Sequence, residues 1–522
     1  MRRLPAWKTD GAANLAARIA IPCALVALAG WSFAQRWQLL ASSPFPLGVD
    51  GYFYPLQLRA LLAHGTLAYP ASPLAFYLLA PFAALSDPIT GAKLGAALLG
   101  AAIAFPAYGV GARLGAGRGA GLIAAVLATT SVGSAYLTIE FVKNGIGLTV
   151  ALTALWLALR AIEAPTRARL AAAVAGLVGA YATHKMAAAL VGGVGIPAAL
   201  AALADRGVLR GRRLIYAIAG AIAAVAGVLV VSALAPHRLL SIEDAGLWHG
   251  LWSATPAWTA PAQTRASGDL VLGHDAVLGA GLAVAAFVAF GLRARALGRQ
   301  PTDRHPAHVR PAGAITAASW PILVLAIAIG LPFLAVSDPQ GLGFRLRLAA
   351  FVPAALAAAI LARAVLGRAA HRDAVLAALA AVLAFLRQPT AALEGVVYTH
   401  PALVSAAEAL TGRVPPGMTL IVPERHIAFL VAWYTRAPVA LGPDGIAPAL
   451  RGRLLPLHFI GAGGALDRAL IAARAEPSLV PPLGVHPLHP NGLVLVTEPT
   501  WIWALAQLPP ADRAYFAAWP TI

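Results

Sequence analysis

The sequence predicts an α-helical polytopic membrane protein of about eleven transmembrane helices, followed by a small extracytoplasmic α/β domain. Three observations carry this. Of the 522 residues, 59% are hydrophobic and 11% are charged; the mean hydropathy is +0.74; and apolar stretches of spanning length recur over the first 387 positions. A soluble globular protein has about 25% charged residues, so an ordinary cytosolic domain is excluded. Cys23 is the only cysteine, which rules out an intrachain disulfide, a zinc cluster and a CxxC redox pair.

The first apolar stretch, about 13–35, follows Met1-Arg2-Arg3 and Lys8 and ends near Ser32-Phe33-Ala34, so it has the charged and apolar regions of a secretory signal. From Ala12 to Phe33 it also reaches the ~20 residues that cross a bilayer, and it reads as an uncleaved signal anchor. Further stretches lie at about 90–112, 117–137, 144–162, 169–183, 186–204, 214–235, 270–292, 315–336, 348–366 and 372–387. Those at 169–183 and 372–387 are short, and Thr183-His184-Lys185 must turn very tightly. The run from Ser72-Pro73-Leu74 to Leu85 is too short to cross and reads as a re-entrant or interfacial helix.

With the N-terminus cytoplasmic and 72–86 not crossing, every loop through residue 387 acquires a side. The cytoplasmic side then holds 21 Lys and Arg against 5 acidic residues, the outer side 10 against 8. Cationic loops mark the cytoplasmic face, and the densest are Arg206 to Arg213, Arg293 to Arg310 and Arg363 to Arg372. The net charge of +18 is therefore mostly a topology signal and calls for no nucleic-acid partner; the expected location is a bacterial inner or plasma membrane, as a multi-pass protein. Residues 1–387 form the transmembrane domain, with a first outer loop at about 36–89. Residues 388–522, with 8 basic and 8 acidic residues, form the extracytoplasmic domain: strands at 418–423, 438–441 and 493–496, helices at 425–436 and 464–475.

Ionisable groups at the outer ends of spans carry the functional information, because a charge at membrane depth is costly. Asp50 lies in the first outer loop and precedes Gly51, a pair that also serves a simple turn. After it, Tyr52 to His64 forms an amphipathic segment suited to a membrane surface. Glu140, Lys143 and Asn144 fall on one helical face; an interfacial Glu-Lys pair has the same spacing. His184 and Lys185 occupy the tight outer turn. Arg345 and Arg347 break the charge rule by lying on the outer side, where paired guanidiniums either anchor at the interface or bind a phosphate. The 236–269 loop, with His237, Arg238, Glu243, Asp244, Trp248, Trp252 and Trp258, reads equally as an aromatic belt or as a cover for glycan or lipid. His426, His458, His486 and His489 lack metal-ligand spacing, and no GxxxxGK[ST], HExxH or GxSxG with triad partners occurs.

Asp50 in a long first outer loop, interfacial helices after it, the Pro73-Leu74-Ala75-Phe76-Tyr77 dip, a second acid at Glu140 and many spans ending in an outer domain together resemble the GT-C superfold of membrane glycosyltransferases. That group includes protein mannosyltransferases, aminoarabinose transferases and oligosaccharyltransferase catalytic subunits. The resemblance implies a polyprenyl-phosphate-linked sugar donor, a catalytic role for Asp50 and a supporting acidic role for Glu140. Many members carry a second acid beside the first, whereas Gly51-Tyr52 follows Asp50 here. A divalent cation, Mg or Mn, thus stays open, with Asp50 and Glu140 as its ligands if it binds.

Glycosyl transfer needs a base for the acceptor's proton and cations for the departing phosphate. Asp50 is the expected general base; Lys143, Lys185, Arg345 and Arg347 bind the lipid phosphate, with His184 orienting it. Tyr52, Tyr54, His64 and Asn144 are the candidates for contacting sugar or acceptor, and the acceptor is a lipid, glycan or protein. The rival readings are a transporter or lipid-linked-glycan flippase, which repeated broken helices would support, and an O-antigen ligase or polymerase-like enzyme. A third, noncatalytic reading makes the C-terminal domain a partner-binding module on a membrane anchor, for which eleven spans are excessive.

Overall fold

A computed structural model of the chain describes residues 7–48, 50–207, 251–254, 274–297, 312–336, 342–367, 371–390, 420–421, 425–440, 483–489 and 492–497, with single residues between them. In chain order the helices are α1 (Trp7–Ala41), α2 (Phe53–His64), α3 (Leu74–Leu85), α4 (Pro88–Ala101), α5 (Ala104–Leu114), α6 (Arg118–Thr129), α7 (Val132–Ile139), α8 (Val142–Glu163), α9 (Arg167–Thr183) and α10 (Lys185–Asp205). There follow α11 (His274–Leu297), α12 (Ala312–Gly330), α13 (Leu342–Leu348), α14 (Phe351–Leu366), α15 (Arg372–Leu386) and α16 (Arg425–Thr435). The strands are β1 (Leu420–Ile421), β2 (Val439–Ala440), β3 (Leu483–His489) and β4 (Gly492–Thr497). The chain divides into two compact units: Met1–Leu39, Ser72–Ala75 and Ala96–Glu394 in the first, Leu40–Ala71, Phe76–Gly95 and Gly395–Ile522 in the second.

The chain is a multi-pass membrane protein. Among the described residues five helices are long and apolar enough to cross, or seven if each of two bent pairs makes one span. The sequence reading of about eleven is higher for two reasons. The 214–235 stretch lies mostly outside the described residues, and several stretches fold as helices too short to cross alone. α9, with 17 residues, is about 26 Å long at 1.5 Å per residue, against a hydrocarbon core of about 30 Å.

The two bends have local causes. At the first, the Thr129 and Thr130 hydroxyls donate to the carbonyls of Ala125 and Val126 (2.6 and 2.8 Å), closing the end of α6. The Ser131 hydroxyl then accepts the Ser134 N–H (3.2 Å) and caps α7, so the axis turns by 46°. At the second, Ala349 and Ala350 N–H groups bond back to the Arg345 and Arg347 carbonyls (both 3.1 Å), and α13 meets α14 at 47°. Small residues let the first unit close up: a Cβ on Gly133 would fall 2.4 Å from the Leu348 carbonyl oxygen, and one on Gly111 2.4 Å from the Ala124 Cβ.

Arg36, fully buried on α1, is held by this bend. Its guanidinium donates to the Thr138 hydroxyl (3.2 Å), the Ser134 hydroxyl (2.7 Å), the Thr129 carbonyl (3.3 Å) and the Ser32 hydroxyl. Four of its five N–H groups are thereby satisfied without a carboxylate. A second polar link joins Asp275 of α11 to Arg387 (2.8 Å) and to the Ser131 hydroxyl.

The 72–86 run is the short helix that the sequence suggests, with Phe76 onward in the second unit. α3 folds back antiparallel on the start of α4, because Gly91 and Gly95 carry no side chain: a Cβ on Gly91 would lie 2.3 Å from the Ala83 backbone and one on Gly95 2.5 Å from Leu79. Asp87 caps α4, its Oδ1 accepting the Ile89 and Thr90 N–H groups (2.8 and 3.0 Å). Gln57, buried on α2, clasps Tyr69 by exchanging two bonds with its backbone (2.8 and 2.9 Å). β1, α16 and β2 form the expected strand-helix-strand unit, with β1 parallel to β2, and β3 pairs antiparallel with β4. The expected helix at 464–475 lies outside the described residues, as does most of the 236–269 loop, of which Leu251 and Ser253 pair with 333–335.

Candidate functional site

The link between α7 and α8 is two residues long. Glu140 is extended, and Phe141 takes the left-handed conformation (φ 53, ψ 42). An aromatic side chain in that region costs about 1–2 kcal/mol, so the surrounding packing has to hold it. The Phe141 carbonyl accepts the N–H groups of Asn144 and Gly145 (2.7 and 3.2 Å), which starts α8. This leaves Glu140 and Asn144 buried, at 3% and 7% exposure, with Lys143 half-buried beside them.

The Phe141 ring is the hub of the region. It meets Phe344 edge-on (centroids 6.5 Å apart), and the Arg345 guanidinium lies 5.1 Å from its centroid, a cation-π contact. The α9–α10 turn is as tight as the sequence implies, a single residue, His184. Its Nδ1 accepts the Met186 N–H (3.1 Å) and so caps α10, which begins at Lys185. Gly147, one turn beyond Lys143 and Asn144 on α8, permits its approach: a Cβ there would lie 3.2 Å from the His184 Cβ.

Within the first unit Arg345 meets the Phe141 ring, next in sequence to the buried Glu140, and His184 approaches α8 at Gly147; Lys143 and Asn144 lie in the first turn of α8, and Lys185 opens α10. Cations and a buried carboxylate at helix ends are groups suited to an anion that carries hydroxyl groups. Arg347 goes elsewhere. It is buried, and its guanidinium donates to the Leu331 carbonyl beyond the end of α12.

Asp50 belongs to the second unit. Its carbonyl accepts the Phe53 N–H (3.0 Å), and Gly51 bonds to the Gly48 carbonyl (3.1 Å). The turn needs its glycines: Gly48 has φ 88, and a Cβ on Gly51 would fall 2.7 Å from the Leu47 carbonyl oxygen. The carboxylate is half-buried, with Oδ1 shielded from solvent. Tyr52 and Tyr54 are packed inside, Tyr54 against Phe53 and Phe76, and Tyr52 against Trp433 and Tyr434. Burial raises the Tyr52 phenol above its ordinary range, helped by its 3.5 Å approach to the Tyr434 hydroxyl and by Glu408, so it stays a neutral donor.

His64, exposed at the end of α2, lines a cavity of about 710 Å³ with Arg59, Tyr69 and Arg436. Arg59 lies 4.4 Å from the Trp433 ring and donates to the Trp433 and Ala432 carbonyls (2.9 and 3.3 Å). Burial first, and Arg436 second, lower its pKa. Arg436 and Trp433 lie some 370 positions from Arg59, and nothing in the local sequence links them. Arg36 was hidden for another reason: it follows directly on the expected end of the first span, though Ser32 one helical turn earlier is a readable sign of a buried polar contact.

Among the described residues no three His, Cys, Asp or Glu groups come together as a metal site. Asp50 and Glu140, the two ligands expected from sequence if a cation binds, belong to different units, and no step below runs through a cation.

Neither a protein-family model nor a curated protein matches the chain. The structure is similar to that of ArnT from Cupriavidus metallidurans in the apo state, at 16% identity, covering 84% of this chain and 90% of that one with a TM-score of 0.45. It is similar to the same enzyme bound to undecaprenyl phosphate, at 15% identity, 87% and 88% coverage and a TM-score of 0.47. It is also similar to an oligosaccharyltransferase from Archaeoglobus fulgidus, at 15% identity, 80% and 62% coverage and a TM-score of 0.43. These are an aminoarabinose transferase and an oligosaccharyltransferase, two of the enzyme groups that the sequence resembles. Residue roles rest on the chain's own geometry.

Proposed function

We propose that the chain is an integral membrane glycosyltransferase that moves a sugar from a polyprenyl-phosphate-linked donor to an extracytoplasmic lipid, glycan or protein acceptor. The observation that supports it is the Arg345 guanidinium over the Phe141 ring, next in sequence to the buried Glu140, with His184 approaching α8 at Gly147 and with Lys143 and Lys185 in the first turns of α8 and α10. Cations at the ends of apolar helices suit a phosphate whose lipid chain stays in the bilayer. In this reading the bond between the sugar's anomeric carbon and the phosphate oxygen breaks, and the electron pair leaves with the lipid phosphate. Lys143, Lys185 and Arg345 offset that growing charge. The acceptor oxygen bonds to the anomeric carbon, and Asp50 takes its proton as general base. Glu140 holds the cations in place, and Asn144 and His64 contact sugar or acceptor. Residues 388–522 are the extracytoplasmic domain of this enzyme.

The test uses the purified full chain with undecaprenyl phosphate as probe. Lys143→Ala/Arg345→Ala should weaken binding at least tenfold, since each charge-assisted hydrogen bond contributes about 1.5–3 kcal/mol; unchanged binding removes the phosphate role. The two broken spans, at 46° and 47°, favour a second reading, a transporter or flippase, because discontinuous helices build transport sites. Detergent-solubilised protein separates the two. A transferase still forms glycosylated product without compartments, whereas a transporter forms none.

A further inference from the structure

A second basic cluster lies at the other end of the α13–α14 pair, the end that the charge asymmetry assigns to the cytoplasm. A cavity of about 490 Å³ is lined there by Ala116, Phe290, Arg293, Arg363, Gly367 and Arg372. Arg372 is buried and donates to the carbonyls of Gly367 (2.7 Å), Ala116 (3.5 Å) and Gly115, so it ties the α5–α6 turn to the α14–α15 turn. Its neighbour Asp373 is engaged with the backbone N–H groups of Arg118 and Gly119 (3.1 and 3.2 Å). Arg293 spends one N–H on the Arg363 carbonyl (3.3 Å) and lies over Gly367, where φ is 55 and a Cβ would stand 3.5 Å from the guanidinium. Arg363 Nη1 is buried with no hydrogen-bond partner among the described residues.

Three guanidiniums thus face one cavity whose described lining contains no carboxylate. Arginines that serve only the topology rule extend to water, whereas Arg363 and Arg372 turn inward. Like charges at short range in a low-dielectric setting repel, and an anion removes that cost while taking up the spare N–H groups. The planar forks match phosphate oxygens, and Phe290 with Ala116 supplies an apolar wall. The geometry points to a separate binding site for a phosphate-bearing anion at the cytoplasmic end, supplied either by an anionic phospholipid headgroup or by a soluble phosphate.

The test is native mass spectrometry of the full chain in detergent, titrated with phosphatidylglycerol or phosphatidylcholine, beside thermal melting in inorganic phosphate against chloride at equal ionic strength. Wild type should retain phosphatidylglycerol at least fivefold over phosphatidylcholine, Arg293→Gln/Arg363→Gln should lose that preference, and Arg293→Lys/Arg363→Lys should keep part of it. The preference should persist in Lys143→Ala/Arg345→Ala, which separates this site from the outer cluster and from the fate of the transferase reading. Stabilisation by inorganic phosphate, lost in the Gln variant and without lipid preference, assigns the site to a soluble phosphate. Equal behaviour of wild type and Gln variant in both assays overturns the site. Should the Gln variant fail to fold, the Lys variant decides: a reduced preference supports the site, and an unchanged one rejects it.

Discussion

Arg345 and Arg363 sit near opposite ends of one broken helix pair and are held in opposite ways. Arg345 lies over the Phe141 ring, next in sequence to the buried acid Glu140. Arg363 lines a cavity with two further arginines and no acid among its described lining. An acid beside a cation suits the proposed reaction, in which Glu140 holds the cations that receive a leaving phosphate while Asp50 takes the proton. Cations alone suit holding. Arg36 makes a third case: buried like Arg372, it is satisfied by hydroxyls and a carbonyl and serves to fasten α1 to the α6–α7 bend.

The comparison breaks most directly at the acid assigned to chemistry. Asp50→Asn should lower sugar transfer in detergent by at least 100-fold, the range of a general base, with the thermal midpoint within a few degrees of wild type; full activity sinks the assignment. Next in size is the donor-phosphate effect at Lys143 and Arg345, tenfold or more, which would sharpen the contrast if Arg293→Gln/Arg363→Gln left undecaprenyl-phosphate binding unaltered. Arg36→Ala should cost about 3 kcal/mol of stability, because it opens a cavity and strands the Ser134 and Thr138 hydroxyls and the Thr129 carbonyl. Denaturation of the detergent-solubilised variant checks this, and wild-type stability would reduce Arg36 to a passive residue.

The smallest effect concerns Asp87. Burial pushes its carboxyl up, but hydrogen bonds from Thr90 and Ile89, with Lys93 nearby, outweigh it, and the net pKa lies below the ordinary value. A depressed carboxyl stabilises the fold above its unfolded pKa and loses that contribution as pH falls through the folded value. The Asp87 contribution should therefore be constant near neutrality and vanish below the usual carboxylate range. Asp87→Ala should cost about 0.5–1 kcal/mol at pH 7, small because the group is largely exposed, and nothing in strong acid. Equal cost at both pH values removes the cap argument.

Much of the site was legible one segment at a time. Glu140, Lys143 and Asn144 were visible by helical spacing, His184 and Lys185 by the shortness of a turn, and Arg345 by its breach of the charge rule. Spacing says nothing about which segments meet, so Arg345 and Arg347 looked alike although one stacks on Phe141 and the other bonds to the Leu331 carbonyl. Broken helices were also missed: Thr129-Thr130-Ser131 is a polar interruption too brief to disturb a hydropathy window, yet three hydroxyls there redirect the axis.

By itself the sequence determined that this chain lives in a membrane, where the short α3 dip falls and that a strand-helix-strand segment follows the spans. Those are consequences of transfer free energy and local periodicity, both of which are summed along the chain. Only the tertiary structure decided which charges share a pocket. That depends on glycines such as Gly147, whose missing side chain admits His184, and Gly367, whose φ of 55 suits glycine, and on Phe141, whose left-handed backbone only surrounding packing can hold.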